Sequence, residues 1–196
     1  MAQEVLRSRE ASTKLTVRDL ALISGFGAIL VIDGYASSLA RLVTHNTDTF
    51  FLMATFFTIL AVMTRKHWTS TVLAVITGTI FLAVPGAPVP IHITGAVVVN
   101  GLVFDLTLLA LLAKSTVPEP NRVQLALAGT LGNGTMAAVI LPFIAVFVPS
   151  AIPVYVWPVV VLGDAFVGLL GVSFGYSVVK RFHNSVLIGK ARWAEK

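Results

Sequence analysis

The sequence predicts an all-α integral membrane protein: a bundle of six transmembrane helices with both the N- and C-termini in the cytoplasm. Of its 196 residues, 56% are hydrophobic and 12% are charged, which is about half the charged fraction of a typical soluble domain. The apolar residues form blocks close to the roughly 20 residues that a helix needs to cross a bilayer. We therefore expect one membrane domain over residues 1–196, with a multi-pass location in the cell membrane.

Six apolar blocks mark the predicted spans. They cover about residues 17–40, 48–63, 68–84, 93–113, 123–148 and 158–179, and leave 1–16 and 180–196 as polar cytoplasmic tails. The second and third spans are short, and the basic run 64–67 joins them. The linker 114–122, with two prolines, is expected to be a spacer between helices.

Local sequence features mark where individual spans begin or bend. Thr16 precedes span one, and Asp19 lies in its first turn, where a carboxylate suits the helix dipole. The stiff loop 84–92 contains three prolines and leads into span four, either as one wall of a pocket or as a plain connector. Gly132-Asn133-Gly134 in span five indicates close helix approach or a local bend. Pro158 fits the first position of span six.

The positions of the basic residues orient the bundle. An even number of spans puts both termini on one side, and that side carries thirteen of the fourteen lysines and arginines, whereas the other side carries Arg41. The thirteen are Arg7, Arg9, Lys14, Arg18, Arg65, Lys66, Lys114, Arg122, Lys180, Arg181, Lys190, Arg192 and Lys196. Cytoplasmic loops carry the excess of such residues. The net charge of +5 is thus explained by the membrane topology, and we expect no nucleic-acid partner.

Several functional classes lack support in the sequence. The chain has no cysteine, which excludes disulfides and thiolate metal sites, and residues 1–18 have no apolar core that predicts a signal peptide. No HExxH or P-loop pattern occurs. We expect no enzymatic activity, no cofactor and no metal.

Three polar residues at similar depth form the centre of the predicted substrate site. With a helical rise of about 1.5 Å per residue, Asp33, Asn100 and Asp164 lie roughly 10 Å below the outer ends of their spans. His92 lies above them at the start of span four. Polar groups in hydrocarbon are expensive and usually face a cavity, a partner or a substrate. Two acids without a lysine or arginine inside a span favour a cationic or donor-rich heterocycle, although a polar pair that holds the bundle together is the alternative.

Asp105 and Asn133 lie deeper, roughly 18 and 22 Å from the outer side. We expect them to pair between spans four and five, mainly as a structural contact. Asn100 and Asp105 are five residues apart, about 140° around a helix, and therefore lie on different faces.

The chain resembles the substrate-binding S component of an energy-coupling factor (ECF) transporter. The resemblance consists of the six-span size, the cytoplasmic termini and the start Lys14-Leu15-Thr16-Val17-Arg18-Asp19-Leu20-Ala21. It implies a six-helix bundle that captures a vitamin or related micronutrient near its outer face. It also implies partners: a transmembrane T component and two cytosolic ATPases.

The resemblance also suggests which residues carry these functions. Binding in this family uses the external loops and the outer ends of spans four to six. His92, Asn100, Tyr155, Trp157 and Asp164 lie there. The prediction that Asp33 belongs to the site rests on its depth in span one alone. The family docks on its T component through an AxxxA motif in helix one, whose place is taken by the small residues Ala21, Ser24, Gly25 and Ala28. Such residues permit close helix approach, and ordinary packing within the bundle is the alternative.

Two other functions remain open at this point. A self-sufficient proton-linked carrier or channel would use Asp33, Asp105 and Asp164 as a relay through the membrane. An interaction protein without a transported substrate would use the small-residue flank of span one to bind partner helices.

Overall fold

A computed structural model describes residues 15–39, 47–83, 91–113, 119–147 and 153–194. These residues form six α-helices and one short 3-10 helix, which confirms the all-α prediction. The helices are α1 (Val17–Leu39), α2 (Thr47–Thr64), α3 (Thr69–Ala83), α4 (Ile91–Leu112), α5 (Arg122–Phe147) and α6 (Trp157–Ala194), with the 3-10 helix Val154–Val156 directly before α6.

Four helical segments are long and apolar enough to cross a membrane. They are Val17–Ala36, Thr94–Leu112, Arg122–Phe143 and Val154–Phe182, whereas α2 and α3 are apolar but shorter. Large apolar side chains cover the outside of the bundle: Ile32 is 68% exposed and Leu162 is 70% exposed. Asn100 and Asn133 are buried instead. An apolar exterior around buried polar groups is the reverse of a soluble protein and indicates a membrane protein.

Helices α1 to α5 begin and end within two residues of the predicted spans. Helix α6 differs, because it continues to Ala194 instead of ending near residue 179. Hydropathy falls at Lys180, but lysine and arginine are good helix formers and no proline follows. The end of the apolar block therefore marks a change of surroundings and not the end of the helix.

Helix α2 lies at the centre of the bundle. Every residue of Met53–Ala61 is buried, as expected for a helix that is apolar on all sides. It runs parallel to α6, since Gly171 faces Phe51 and Gly175 faces Thr55. Thr55 Oγ1 also donates a hydrogen bond of 3.1 Å to the Gly171 carbonyl. The two glycines allow the backbones of α2 and α6 to touch.

Two ion pairs connect the helix ends on one side of the bundle. The Lys66 ammonium lies 2.6 Å from the Asp19 carboxylate, and both side chains are largely buried. Arg65 pairs with Glu119 at 2.8 Å, with both side chains more than half exposed. Arg65 and Trp68 have positive φ values, 55° and 69°, and close the turn between α2 and α3. The start of α1, this turn and the start of α5 thus lie together, as the predicted alternation of spans requires.

The Lys66–Asp19 pair is expected to stabilise the protein more than the Arg65–Glu119 pair. Lys66→Met would leave the Asp19 carboxylate without its buried counter-charge, which costs about 3 kcal/mol. Glu119→Gln removes an exposed ion pair worth at most about 1 kcal/mol. Thermal unfolding in detergent should show a clear decrease for Lys66→Met and a small change for Glu119→Gln. Equal melting temperatures would contradict this difference.

Candidate functional site

Asn133 of α5 joins three helices at one level. Its Oδ1 accepts a 2.9 Å hydrogen bond from the side-chain amide of Asn100 on α4, and its own amide donates to the Phe50 carbonyl of α2 at 3.2 Å. The Asn100 amide also contacts Met136 Sδ at 3.4 Å. Gly132 makes this approach feasible, because a Cβ there would collide with the Asn100 Oδ1.

The Asn100 Oδ1 atom has no hydrogen-bond partner among the described residues, although Asn100 is 0% exposed. A buried acceptor without a donor is costly. Asn100 therefore offers an unsatisfied acceptor, but one that lies inside the contact between α4 and α5. A ligand would reach it only after some separation of these two helices.

The predicted pairing of Asp105 with Asn133 is wrong. Asp105 Oδ2 accepts hydrogen bonds from the Thr71 backbone amide at 2.7 Å and from Thr71 Oγ1 at 2.8 Å. Thr71 lies in the first turn of α3, whose amides lack partners within the helix, so the carboxylate of α4 caps α3. The prediction that Asn100 and Asp105 occupy different faces is confirmed, because one contacts α5 and the other contacts α3.

The predicted difference in level between Asn133 and Asn100 is wrong, because their side chains are hydrogen-bonded. The reason is that the helices do not start at one level. We use outer for the helix ends that the sequence predicts to be external. Asn133 is fourteen residues from this end of α5, about 21 Å, whereas Phe50 is three residues from this end of α2, about 4.5 Å. The hydrogen bond between them therefore sets the start of α2 some 16 Å inside the end of α5. Asn133 lies in the layer of Asn100, at the outer end of α2.

Asp33 of α1 lies at the same end of α2. Its carboxylate accepts a 2.7 Å hydrogen bond from Thr49 Oγ1 in the first turn of α2, and the residue is half-buried. This hydrogen bond uses one of the two carboxylate oxygens and connects α1 to α2. Asp33 thus contacts the outer end of α2 directly, whereas Asn100 is connected to it through Asn133. No hydrogen bond between Asp33 and Asn100 is found among the described residues.

Asp164 of α6 is half-buried and lies one helical turn outward from Gly168. Gly168 packs directly on Asn133 and on the Gly129 carbonyl of α5. Residues four apart share a helix face, so Asp164 lies on the face of α6 that meets α5. No described residue forms a hydrogen bond or an ion pair with its carboxylate.

The remaining predicted binding residues are spread over the outer end of the molecule. Tyr155 lies in the 3-10 helix and is 82% exposed, and Trp157 begins α6 and is half-buried. The backbone of His92 belongs to the first turn of α4, but its side chain lies outside the described part of the chain. Neither Tyr155 nor Trp157 is brought against the Asn100–Asn133 pair by any described contact.

The four small residues predicted as a docking flank share one exposed face of α1. Ala21, Ser24, Gly25 and Ala28 are all exposed. A Cβ on Gly25 would meet no atom within 4 Å, whereas Gly27, on the opposite face, packs on Leu73 of α3. The fold therefore uses Gly27 for packing inside the bundle and leaves the other four residues uncovered.

Three hydrogen-bond acceptors thus lie near the level of the outer end of α2: the carboxylates of Asp33, which accepts from Thr49, and of Asp164, and the Asn100 Oδ1. Among the described residues, every lysine and arginine lies at the inner ends of the helices or in the continuation of α6. Chemically, such an arrangement accepts hydrogen bonds or a positive charge. Comparisons with models of known protein families, with curated proteins and with solved structures found no match to this chain.

Proposed function

We propose that this chain is the substrate-binding membrane subunit of an ECF-type importer. It captures a vitamin or related small molecule in a pocket in the outer half of a six-span bundle, above the start of α2. The observation that carries the proposal is the group of acceptors at that position, which the described residues do not neutralise with a lysine or an arginine. Buried acceptors of this kind are costly unless something donates to them.

The acceptor chemistry favours a cationic or donor-rich heterocycle as the substrate. A carboxylate forms stronger hydrogen bonds with an ammonium or ring N–H donor than neutral acceptors do. An anionic substrate would need a basic residue in the same layer. The half-buried carboxylates of Asp33 and Asp164 are the accessible members of the site, and Asn133 holds α2, α4 and α5 in register beneath them.

Mass spectrometry of the purified protein tests this proposal. The protein is measured in its native state and again after denaturation, to detect a small molecule released on unfolding. We expect a compound with an ammonium or several N–H groups, present at near one copy per chain. A protein that repeatedly contains no compound, even after purification at low detergent, would count against a high-affinity binding subunit.

The proposed partners are a transmembrane T component and two cytosolic ATPases, with the exposed small-residue face of α1 as the docking surface. Gly25→Leu should leave the monomer folded, because the space beside Gly25 is open, and should prevent another helix from approaching closely. Gly95→Leu is the matched control, since Gly95 of α4 is also exposed and open. After co-expression with the other subunits, we expect Gly25→Leu to copurify with several-fold less ATPase. Equal copurification of both variants would remove this face from the docking surface.

A proton-linked carrier or channel with Asp33, Asp105 and Asp164 as a relay is less well supported. Asp105 is bound to the first turn of α3 and faces away from Asn100 and α5. A relay also needs groups within reach of one another, and no described contact links these three carboxylates. Substrate uptake into liposomes by the purified chain without any ATPase would favour the carrier.

A further inference from the structure

Asp164 differs from the other carboxylates of the described helices. The others all interact with a neighbour: Asp19 with Lys66, Asp33 with Thr49, Asp105 with Thr71, and Asp48 likewise with a partner. For Asp164, no hydrogen bond or ion pair with a described residue is found. It is also not fully solvated, because the residue is half-buried on a membrane helix.

The face of α6 that carries Asp164 is fixed by its contacts. Residues 164, 168, 171 and 175 fall within about 60° of one another around a helix. Gly168 packs on Asn133, and Gly171 packs on the Phe51 carbonyl. Gly163, by contrast, is exposed with no atom within 4 Å of its Cβ position. Asp164 therefore lies toward the groove between α2 and α5, and the lipid-facing side of α6 begins next to it.

The level of Asp164 follows from the parallel packing of α2 and α6. Asp164 is seven residues, or about 10 Å, outward from Gly171, and Thr47 is four residues, or about 6 Å, outward from Phe51. Asp164 thus lies about 4 Å beyond the first residue of α2. The carboxylate therefore lies at the level of the proposed pocket.

We propose that Asp164 is the residue that selects the substrate, by accepting a hydrogen bond from an ammonium or ring N–H group of the bound molecule. This inference rests on the proposed function and narrows it. Asp33 and Asp105 already have donors, so they gain less from a ligand, whereas the Asp164 carboxylate has no hydrogen-bond donor among the described residues. The substrate class is therefore a heterocycle with a protonated amine or exposed N–H donors, and not a simple carboxylate.

The test uses the compound that unfolding releases from the wild-type protein. That compound is added back to ligand-depleted Asp164→Asn and Asp105→Asn, and its affinity is measured by calorimetry in detergent. Asp164→Asn keeps the shape but loses the charge-assisted acceptor, so we expect binding to weaken about tenfold or more. Asp105→Asn lies outside the proposed site and retains an acceptor for Thr71, so it should change affinity by less than about threefold.

A second measurement separates substrate selection from a structural role. Asp105→Leu should lower the melting temperature of the ligand-depleted protein, because it removes the cap on α3. Asp164→Leu should maintain or raise that temperature, because no described partner is lost. A marked decrease for Asp164→Leu would assign Asp164 to the fold and overturn the inference.

The remaining outcomes are also decisive. Unchanged affinity in Asp164→Asn, or a released compound without an ammonium or N–H donor, would overturn the assignment of Asp164 while leaving the proposed function intact. Wild-type protein that holds no compound would instead contradict the proposed function, and the inference would fail with it.

Discussion

Gly171→Leu is expected to break the packing of α6 on α2 and to lower the melting temperature more than most single substitutions. A Cβ at this position would collide with the Phe51 carbonyl oxygen and would lie 2.9 Å from the Ala54 Cβ. The first of these is a backbone atom of the central helix, so it cannot move aside as a flexible side chain would. Overpacking of this kind costs about 1–3 kcal/mol, and separation of the helices would also break the bond from Thr55 to the Gly171 carbonyl.

Gly163→Leu provides the matched control for this prediction. It introduces the same side chain on the same helix, but Gly163 is exposed and has no atom within 4 Å of its Cβ position. Replacing a helical glycine also removes an unfavourable backbone entropy of up to about 1 kcal/mol. Thermal unfolding in detergent should therefore separate a strongly destabilised Gly171→Leu from a wild-type-like Gly163→Leu. Similar melting temperatures would show that α2 and α6 are not in close backbone contact.

The helices could be located from the sequence because hydropathy changes sharply at their ends. Five of the six predicted spans agree with the structure to within two residues. The exception, α6, shows the limit of this approach, since the same apolar-to-basic change at Lys180 does not interrupt the helical backbone. The close helix approach predicted for Gly132 is confirmed by its contact with Asn100. The prediction succeeded because a glycine in the interior of a membrane helix, away from turns and helix ends, usually marks a close contact with another helix.

Pairings between helices were much harder to predict. Depth was counted separately along each span, which assumes that all helices start at one level. Asn133 and Phe50 show that they do not, because a residue in the middle of α5 bonds to the first turn of α2. The partner of Asp105 was missed for a related reason. Thr71 carries no recognisable motif, and its amide became a partner only because α3 starts level with the inner half of α4.

The predicted site residues therefore divide by how they depend on this register. Asp33 and Asn100 were predicted from their depth to share one layer, and both are connected to the outer end of α2, directly or through Asn133. Asn133 itself was assigned to the wrong partner. The pattern of an asparagine between two glycines had marked it as a helix contact. That pattern does not tell which helix approaches, and Asn133 contacts three other helices: α2, α4 and α6.

Asn133→Leu is expected to destabilise the bundle strongly, because one side chain satisfies groups on two other helices. The substitution keeps a similar volume but leaves the Asn100 amide and the Phe50 carbonyl without their bonds to Asn133. The stranded Asn100 amide costs about 1–3 kcal/mol. The Phe50 carbonyl keeps its helical hydrogen bond within α2, and the lost bond between the two helices adds nearer 0.6 kcal/mol. We expect a loss of about 2 kcal/mol in the unfolding free energy measured in detergent. Thr135→Val, two residues along α5, is the control, since no hydrogen bond from its side chain is found among the described residues.

The double variant Asn100→Leu/Asn133→Leu tests whether the pair acts as a unit. Replacing both partners with apolar groups of similar shape removes the stranded amide, so the double variant should be less destabilised than the sum of the two single variants. Its remaining loss comes from the bond between helices to the Phe50 carbonyl, which keeps its own helical hydrogen bond within α2. We expect a coupling free energy of about 1 kcal/mol between the two sites. Strict additivity would mean that Asn100 and Asn133 do not share a hydrogen bond in the membrane, and that the register of α4, α5 and α2 is set by their apolar contacts.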